Sequence, residues 1–246
     1  MTEKKLVPLA VPDIGDEENE EIKKVMSTGF LTEGATTKEF EQMVADYLGV
    51  KHAIAVTSCT TGLHAVLHSL DIKGQEVIVP DYTYPATAEA VVLAGGIPVL
   101  ADVDLESMNI TTEILEEAYN EKMTVFSPVS WAGVPLEKEI YQKSEKLGLK
   151  MLEDAACSLG AKIGEEYVGK IADFSCFSFH PRKVITTGEG GMITTDNDEM
   201  FEKCYSFKHF GAKNGSFETI GTNYKLSNVL SAIGVIQMKK IDNIVE

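Results

Sequence analysis

The amino-acid sequence predicts an α/β protein, with a three-layer α/β/α architecture and a mainly parallel central sheet. Short apolar runs typical of buried strands recur along the chain, and segments with helical spacing separate most of them. Strands that alternate with helices are characteristic of parallel sheets covered on both faces. No convincing linker or internal repeat divides the sequence, so we expect residues 1–246 to form one large domain with an N-terminal arm.

Two helices are predicted before the first strand. Residues 15–27 are acidic and then basic, with apolar residues at helical spacing, which is typical of a surface helix. In the second helix, Thr36 and Glu39 have the spacing of a capping box. The buried face of that helix is predicted from the spacing of Phe40, Met43, Val44, Tyr47 and Leu48, and Gly49 ends it.

The remaining elements follow the same patterns of apolar residues. Strands are predicted at HAIAVT, EVIVP, IPVLADVD, MTVFSPVS, MLE, residues 173–179 and MITT. Helices are predicted after TSCTTG, after DYTYP, at residues 111–122, at 136–148, from Asp196 or Asn197 to about Phe207, and at LSNVLSAIGVIQMKKI. The last helix has a strongly apolar face, which would cover the sheet or a partner subunit.

Composition excludes several classes of function. Asp and Glu outnumber Lys and Arg by 38 to 22, and the resulting net charge of −16 disfavours nucleic acid or an anionic membrane as the main partner. No apolar run approaches the roughly 20 residues of a membrane helix. The N-terminal sequence MTEKKLVPLA lacks the continuous apolar core of a signal peptide. We therefore expect a cytoplasmic protein.

Neither a metal site nor a disulfide framework is predicted. The four cysteines are scattered without a CxxC pair, which favours reduced thiols. His64 and His68 have the i, i+4 spacing of a metal-binding pair, but no third ligand is apparent. Packing on a helix face or exposure to solvent is the better interpretation of these two histidines.

A cluster of hydroxyl side chains follows the strand HAIAVT, at the start of the next helix. It consists of Thr57, Ser58, Thr60 and Thr61. Free N–H groups and the helix dipole favour an anion at such a position, although the same hydroxyls could simply cap the helix. Phosphate binding becomes the preferred interpretation when the segment around Lys183 is considered with it.

A carboxylate and a lysine are predicted to meet at the ends of two strands. The strand MLE delivers Asp154 to its carboxyl end, and Lys183 follows the strand at 173–179 just before the glycine-rich turn TTGEGG. Pyridoxal phosphate needs a lysine to bind its aldehyde and an acidic partner for its ring nitrogen. Asp154 and Lys183 are the candidates for these roles. Ser178, five residues before the lysine, offers a hydroxyl to the phosphate.

The segments EDAACSLGA and FSFHPRKVITTGEGG resemble the DegT/DnrJ/EryC1/StrS family of sugar aminotransferases. The resemblance runs from about Leu9 to the last residue. It implies the large domain of a fold type I pyridoxal-phosphate-dependent transferase, with Lys183 as the catalytic lysine that binds the cofactor and transfers protons. It also implies phosphate contacts from Thr60 and its neighbour Cys59, and a ring-stacking role for Tyr84.

Two further cofactor contacts are implied by the same resemblance. Cys157 stands where many relatives have glutamine or histidine against the ring hydroxyl of the cofactor, and a thiol is a weaker hydrogen-bonding group. Asn223 matches an asparagine that reaches the phosphate of the other subunit, which implies a homodimer. Lys225 replaces an arginine common in relatives, so a planar bidentate contact would be lost there.

The resemblance implies a pyridoxal-phosphate-dependent aminotransferase whose partners are an amino-acid donor, expected to be glutamate, and a keto nucleotide-sugar. Lys183 favours this activity over the family's sugar dehydratases, which have histidine at that position. A dehydratase or isomerase on the same scaffold remains an alternative. Relatives continue into a smaller C-terminal domain, which we expect to be absent or truncated here, so a non-catalytic cofactor-binding domain is a further alternative.

Overall fold

In the computed structural model, residues 7, 8 and 10–246 are described, and most of the predicted N-terminal arm lies outside them. Eleven strands lie within the described residues: β1 (His52–Val56), β2 (Glu76–Pro80), β3 (Ile97–Ala101), β4 (Val125–Phe126), β5 (Lys150–Asp154), β6 (Lys162–Ile163), β7 (Glu166–Tyr167), β8 (Phe174–Ser178), β9 (Gly191–Thr195), β10 (Ala212–Lys213) and β11 (Ser216–Phe217). Seven of them form the central sheet in the order β1-β9-β8-β5-β4-β2-β3. β9 is antiparallel to both of its neighbours, and the other pairs are parallel. The predicted mainly parallel sheet is confirmed.

Helices cover both faces of this sheet. They are α1 (Asp16–Thr28), α2 (Ala35–Leu48), α3 (Cys59–Ser69), α4 (Ala86–Leu93), α5 (Thr112–Ala118), α6 (Lys138–Lys146), α7 (Asp198–Lys208), α8 (Asn228–Lys239) and α9 (Ile241–Val245). Side chains of α3, α4 and α7 share one apolar core with Val77 and Val79 of β2. Ile78 points to the opposite face, where it packs with α5 and α6. This alternation confirms the predicted three layers.

The helices α2 and α8 pack together on the second face, beside β1, β8 and β9. Phe40, Val44 and Leu48 of α2 are almost fully buried, as their spacing predicts. Val235 and Met238 of α8 belong to the same core, so the apolar face of α8 covers the sheet of its own chain.

The predicted capping box of α2 is wrong. The helix begins two residues earlier than that prediction requires, with Gly34 as N-cap and Thr36 inside the first turn. Asn228, 191 residues further along the chain, instead accepts a hydrogen bond from the Thr37 N–H through its side-chain oxygen, at 3.2 Å. The orphan N–H group at the helix start is therefore satisfied by tertiary contact.

The predicted strand MTVFSPVS pairs regularly only at Val125 and Phe126. Beyond Pro128 the chain continues beside β5 through a single bridge from Val129 to Asp154. For the helix predicted to start at Asp196 or Asn197, the structure selects Asn197 as the N-cap. Its side chain accepts a hydrogen bond from the Met200 N–H at the start of α7. No helix within the described residues is long and apolar enough to cross a membrane.

Candidate functional site

A cavity of about 420 Å³ opens at the carboxyl ends of β1, β5 and β8, which all run in the same direction. Ligands of open α/β sheets bind at this edge. The cavity is lined by Ser58, Cys59, Thr60, Tyr84, Ala86, Asp154, Ala156, Ser178, His180, Arg182, Lys183 and Glu189. The structure therefore brings the predicted carboxylate and lysine together with the hydroxyl-rich start of α3.

Asp154 lies at the bottom of the cavity, where its side chain is held by three neighbours. Thr87 Oγ1 donates a hydrogen bond to Oδ2 at 2.7 Å, and the Ala156 N–H donates to Oδ1 at 3.2 Å. The Cys59 thiol lies 3.7 Å from Oδ1. Burial raises the pKa of Asp154, while Thr87 and the nearby Lys183 oppose this rise. A cation placed against this carboxyl group would favour its ionised form.

The Lys183 amine lies 3.0 Å from the Cys157 sulfur, so two residues that are both predicted to bind the cofactor are in direct contact. A short turn connects β8 to this lysine. In that turn the Lys183 N–H donates to the His180 carbonyl at 2.9 Å, and the His180 N–H donates to Ser178 Oγ at 3.4 Å. The turn therefore places Ser178 and Lys183 in the same cavity wall.

The N-terminus of α3 forms the wall nearest to β9. Ser58 caps the helix by accepting a hydrogen bond from the Thr61 N–H, so the alternative interpretation of the hydroxyl cluster, helix capping, holds for Ser58. Among the described residues, the N–H groups of Cys59 and Thr60 have no acceptor and remain available to an anion. A Cβ atom at Gly191 would lie 2.5 Å from the Cys59 nitrogen, so only glycine allows this close approach of β9.

Tyr84 and Asn223 occupy different positions relative to the cavity. Tyr84 lines its mouth just before α4 and is 77% exposed, so its ring is accessible to a ligand. Asn223 is also exposed but is outside the residues that line the cavity, and it forms a β-bridge with His209. A contact between Asn223 and the cavity of the same chain is therefore not made.

Sequence reasoning missed two residues that shape this site. Thr87 was hidden within a predicted helix, although its spacing from Tyr84 places both at the same helix start. Arg182 lines the cavity beside Lys183 and had no assigned role. Its rarity was the available signal, since it is the one arginine in the sequence.

Glu153 lies next to Asp154 in β5 but faces the opposite side of the sheet, as the alternation of a strand predicts. Its carboxyl group is fully buried and accepts hydrogen bonds from Ser130 Oγ and, at 3.0 Å, from the Tyr141 hydroxyl. Burial raises the pKa of Glu153 from its ordinary value of 4.5 to about 7, and these two hydrogen bonds oppose the rise. Glu153 therefore supports the strand without entering the cavity.

Replacing Glu153 with glutamine is expected to remove part of the pH dependence of stability. The carboxyl group of Glu153 stays protonated to a higher pH in the folded protein than in the unfolded chain. Its contribution to the free energy of unfolding therefore falls as pH rises from 4.5 to about 7 and changes no further above that. In wild type this pH rise lowers the free energy of unfolding by about 3 kcal/mol, and Glu153→Gln should not show this decrease. Urea unfolding of wild type and Glu153→Gln at pH 4.5, 6 and 8 measures it. Parallel pH profiles of the two proteins would contradict this assignment.

The residues present fit pyridoxal phosphate. A buried carboxylate suits a protonated ring nitrogen, an amine suits the aldehyde, and the free N–H groups at the start of α3 suit the phosphate. These groups surround one cavity, and the exposed ring of Tyr84 stands at its mouth. Among the described residues no cluster of three metal-binding side chains occurs.

Comparisons with known proteins agree with this fit. The model of the DegT/DnrJ/EryC1/StrS aminotransferase family matches residues 12–246. GDP-perosamine synthase from Caulobacter vibrioides is 36% identical, with 96% of this chain and 65% of that protein covered. The GDP-perosamine synthase from Vibrio cholerae is 31% identical, with 98% and 67% covered. This chain thus spans about two thirds of the length of these relatives.

Solved structures show the same relationship. PseC from Helicobacter pylori, an aminotransferase involved in the biosynthesis of pseudoaminic acid, superimposes with a TM-score of 0.92 at 31% identity, covering 97% of this chain and 67% of that one. The PLP form of the putative sugar aminotransferase Spr1654 from Streptococcus pneumoniae has a TM-score of 0.91 at 27% identity, with 96% and 67% covered. The chain belongs to the DegT/DnrJ/EryC1/StrS aminotransferase family, whose members use pyridoxal phosphate.

Proposed function

We propose that this chain is the cofactor-binding part of an aminotransferase that transfers an amino group from glutamate to a keto nucleotide-sugar. The observation that supports this most directly is that Asp154, Lys183 and the N-terminus of α3 line one cavity. The nucleotide-sugar acceptor is supported by the relatives: two are GDP-perosamine synthases, and the similar structure of DesI was determined in the presence of its TDP-sugar product.

The phosphate of the cofactor would be held at the N-terminus of α3. The N–H groups of Cys59 and Thr60 are available donors there, and the hydroxyl of Ser178 lines the same cavity. Their partial positive charge adds to that of the helix dipole. This wall therefore binds an anion in a chain whose net charge is −16.

The ring of the cofactor would lie between Asp154 and Tyr84. When bound, pyridoxal phosphate supplies an electron-accepting ring that stabilises negative charge on the reacting carbon of the substrate. Asp154 keeps the ring nitrogen protonated, and Thr87 and the Ala156 N–H hold its carboxylate in place. Tyr84 covers the exposed face and excludes water from it.

Lys183 has two roles in this proposal. Its Nζ atom binds the aldehyde of the cofactor, and once released it accepts the proton that leaves the α-carbon of the amino donor. Cys157, at 3.0 Å from Nζ, is close enough to contact the lysine in its resting position. This contact keeps the amine at the cavity wall formed by the turn after β8.

A homodimer is part of the same proposal. Asn223 is exposed and lies outside the cavity of its own chain, which suits a role in the cavity of a second copy. A monomeric mass at the protein concentration used for activity measurements would contradict this role.

The proposed function is tested by absorption spectra of the protein with pyridoxal phosphate before and after addition of L-glutamate. We expect an aldehyde-form band that fades as the amine form accumulates, and then amino transfer to at least one member of a panel of keto nucleotide-sugars, detected by mass spectrometry. A band that does not change on addition of glutamate would contradict glutamate as the amino donor and favour a binding domain without turnover. A full response to glutamate without transfer to any sugar would contradict the acceptor.

A further inference from the structure

Arg182 is the one arginine in the 246-residue sequence, and the other 21 of its 22 basic residues are lysines. This single guanidinium group lies in the wall of the cavity, beside Lys183. Its side chain is exposed, and in the part of the chain that the structure describes it forms no salt bridge and no side-chain hydrogen bond. Arg182 therefore contributes an unpaired positive charge to the site.

The backbone of Arg182 is fixed although its side chain is free. The Arg182 N–H donates to His180 Nδ1 at 3.2 Å, and the next N–H along the chain, that of Lys183, donates to the His180 carbonyl at 2.9 Å. Because Nδ1 of His180 accepts a hydrogen bond, the proton of the neutral imidazole is on Nε2. The turn therefore fixes the backbone of Arg182 next to Lys183 and leaves its guanidinium group free to meet a ligand in the cavity.

The charges that line the cavity indicate which ligand this guanidinium group would bind. Four charged side chains line it: Asp154, Arg182, Lys183 and Glu189. In the proposed function Asp154 pairs with the ring nitrogen and Lys183 is engaged with the cofactor. Arg182 is then the remaining full positive charge among the described residues of the cavity wall.

An amino donor brings a carboxylate to the same place. Its α-carboxylate is attached to the carbon whose proton Lys183 removes, so it must lie within a few ångströms of Lys183 Nζ. A diphosphate is separated from the reacting carbon by the sugar ring and reaches further from the lysine. A planar guanidinium group matches a carboxylate through two parallel hydrogen bonds, which an ammonium group cannot do.

We propose that Arg182 binds a carboxylate of the amino donor and so selects an amino acid over a simple amine. This inference rests on the proposed function, because it takes the reactive position of the donor from it. It assigns a specificity-determining role to a residue that neither the cofactor nor the fold requires.

The test compares wild type with Arg182→Met, Arg182→Lys and a control, Lys73→Met, which removes one exposed positive charge outside the cavity. For each protein, the donor concentration that gives half-maximal conversion of the cofactor is measured with L-glutamate, L-alanine, 4-aminobutyrate and n-butylamine. L-Alanine carries only the α-carboxylate and 4-aminobutyrate only the distal one, so these donors show which carboxylate is bound. Glutarate binding to each protein is measured in parallel by calorimetry.

For Arg182→Met we expect a roughly 10- to 100-fold rise in the half-maximal concentration of carboxylate donors and in the glutarate Kd. The values for Arg182→Lys should lie between those of this variant and wild type, because lysine keeps the charge and loses the two parallel hydrogen bonds of the planar guanidinium group. The response to n-butylamine should not change, and Lys73→Met should behave as wild type. Thermal unfolding of each variant verifies that it is folded.

Equal glutarate Kd values for Arg182→Met and wild type would overturn the proposal, as would a selective loss of UDP or GDP binding in that variant. If wild type binds the cofactor but none of the four amines converts it to the amine form, the proposed function is wrong. The glutarate titration then decides the role of Arg182 by itself.

Discussion

Replacing Lys183 with alanine is expected to abolish covalent attachment of pyridoxal phosphate and to slow the response to glutamate by about three orders of magnitude. The substitution removes both the amine that binds the aldehyde and the group that accepts the donor's proton, and loss of a positioned general base alone costs about 10²- to 10⁴-fold. No other lysine lines the cavity within the described residues. Borohydride reduction followed by peptide mass spectrometry checks the attachment, and stopped-flow absorption checks the rate.

Lys146→Ala is the matched control for Lys183→Ala, because Lys146 is exposed and lies outside the cavity. We expect this variant to retain the label on the peptide that contains Lys183. A reduced adduct on any other lysine of wild type would contradict the assignment of Lys183 as the anchor of the cofactor.

Replacing Lys208 with alanine is expected to lower the free energy of unfolding by about 3–5 kcal/mol, since it leaves the partly buried Glu41 without a cation and Glu33 with only the imidazole of His209. Lys208 is fully buried at the end of α7, where its Nζ atom lies 3.1 Å from Glu33 and 3.2 Å from Glu41. The same atom donates to the Ala55 carbonyl of β1 at 2.9 Å. Lys208 thus joins α7 to α2, to the loop before it and to the sheet.

Guanidinium chloride unfolding measures this loss, with Lys203→Ala as the control. Lys203 lies on the same helix and pairs with Glu199 at the surface, four residues apart, so its removal should cost no more than about 0.5 kcal/mol. A second variant that combines Lys208→Met with Glu33→Gln and Glu41→Gln should recover most of the stability, because no buried charge remains unpaired. Equal losses for Lys208→Ala and Lys203→Ala would contradict the role assigned to this cluster.

The position of the candidate site could be predicted from the sequence, because it depends on local patterns and on one rule of parallel sheets. Asp154 and Lys183 each follow an apolar strand, and the carboxyl ends of parallel strands meet at one edge. The structure places both residues in one cavity. The contacts of Thr87 with Asp154 and of Cys157 with Lys183 depend on side-chain directions that no periodicity encodes.

Most helices and strands were also predictable, and the errors have a common cause. The N-cap of α2 was placed wrongly because the group that satisfies the Thr37 N–H comes from Asn228, far along the chain. Likewise, Lys208 lies next to a polar, loop-like stretch, and its burial depends on Glu33 and Glu41 from the N-terminal part of the protein. Sequence patterns indicate whether a segment prefers helix or strand and which of its faces is buried. The N-cap of α2 and the burial of Lys208 depend instead on partners distant in sequence.

The antiparallel strand β9 determines when the site can form during synthesis. In the sheet β1 has β9 as its neighbour, with His52 opposite Thr195 and Val56 opposite Gly191. The start of α3, which directly follows β1, is therefore not held against the turn that carries Lys183 until residues 191–195 have left the ribosome. Closing such a long loop is slow. A nascent chain that ends after Lys183 and before Gly191 would already contain Asp154 and Lys183 and would still lack the assembled site for the cofactor.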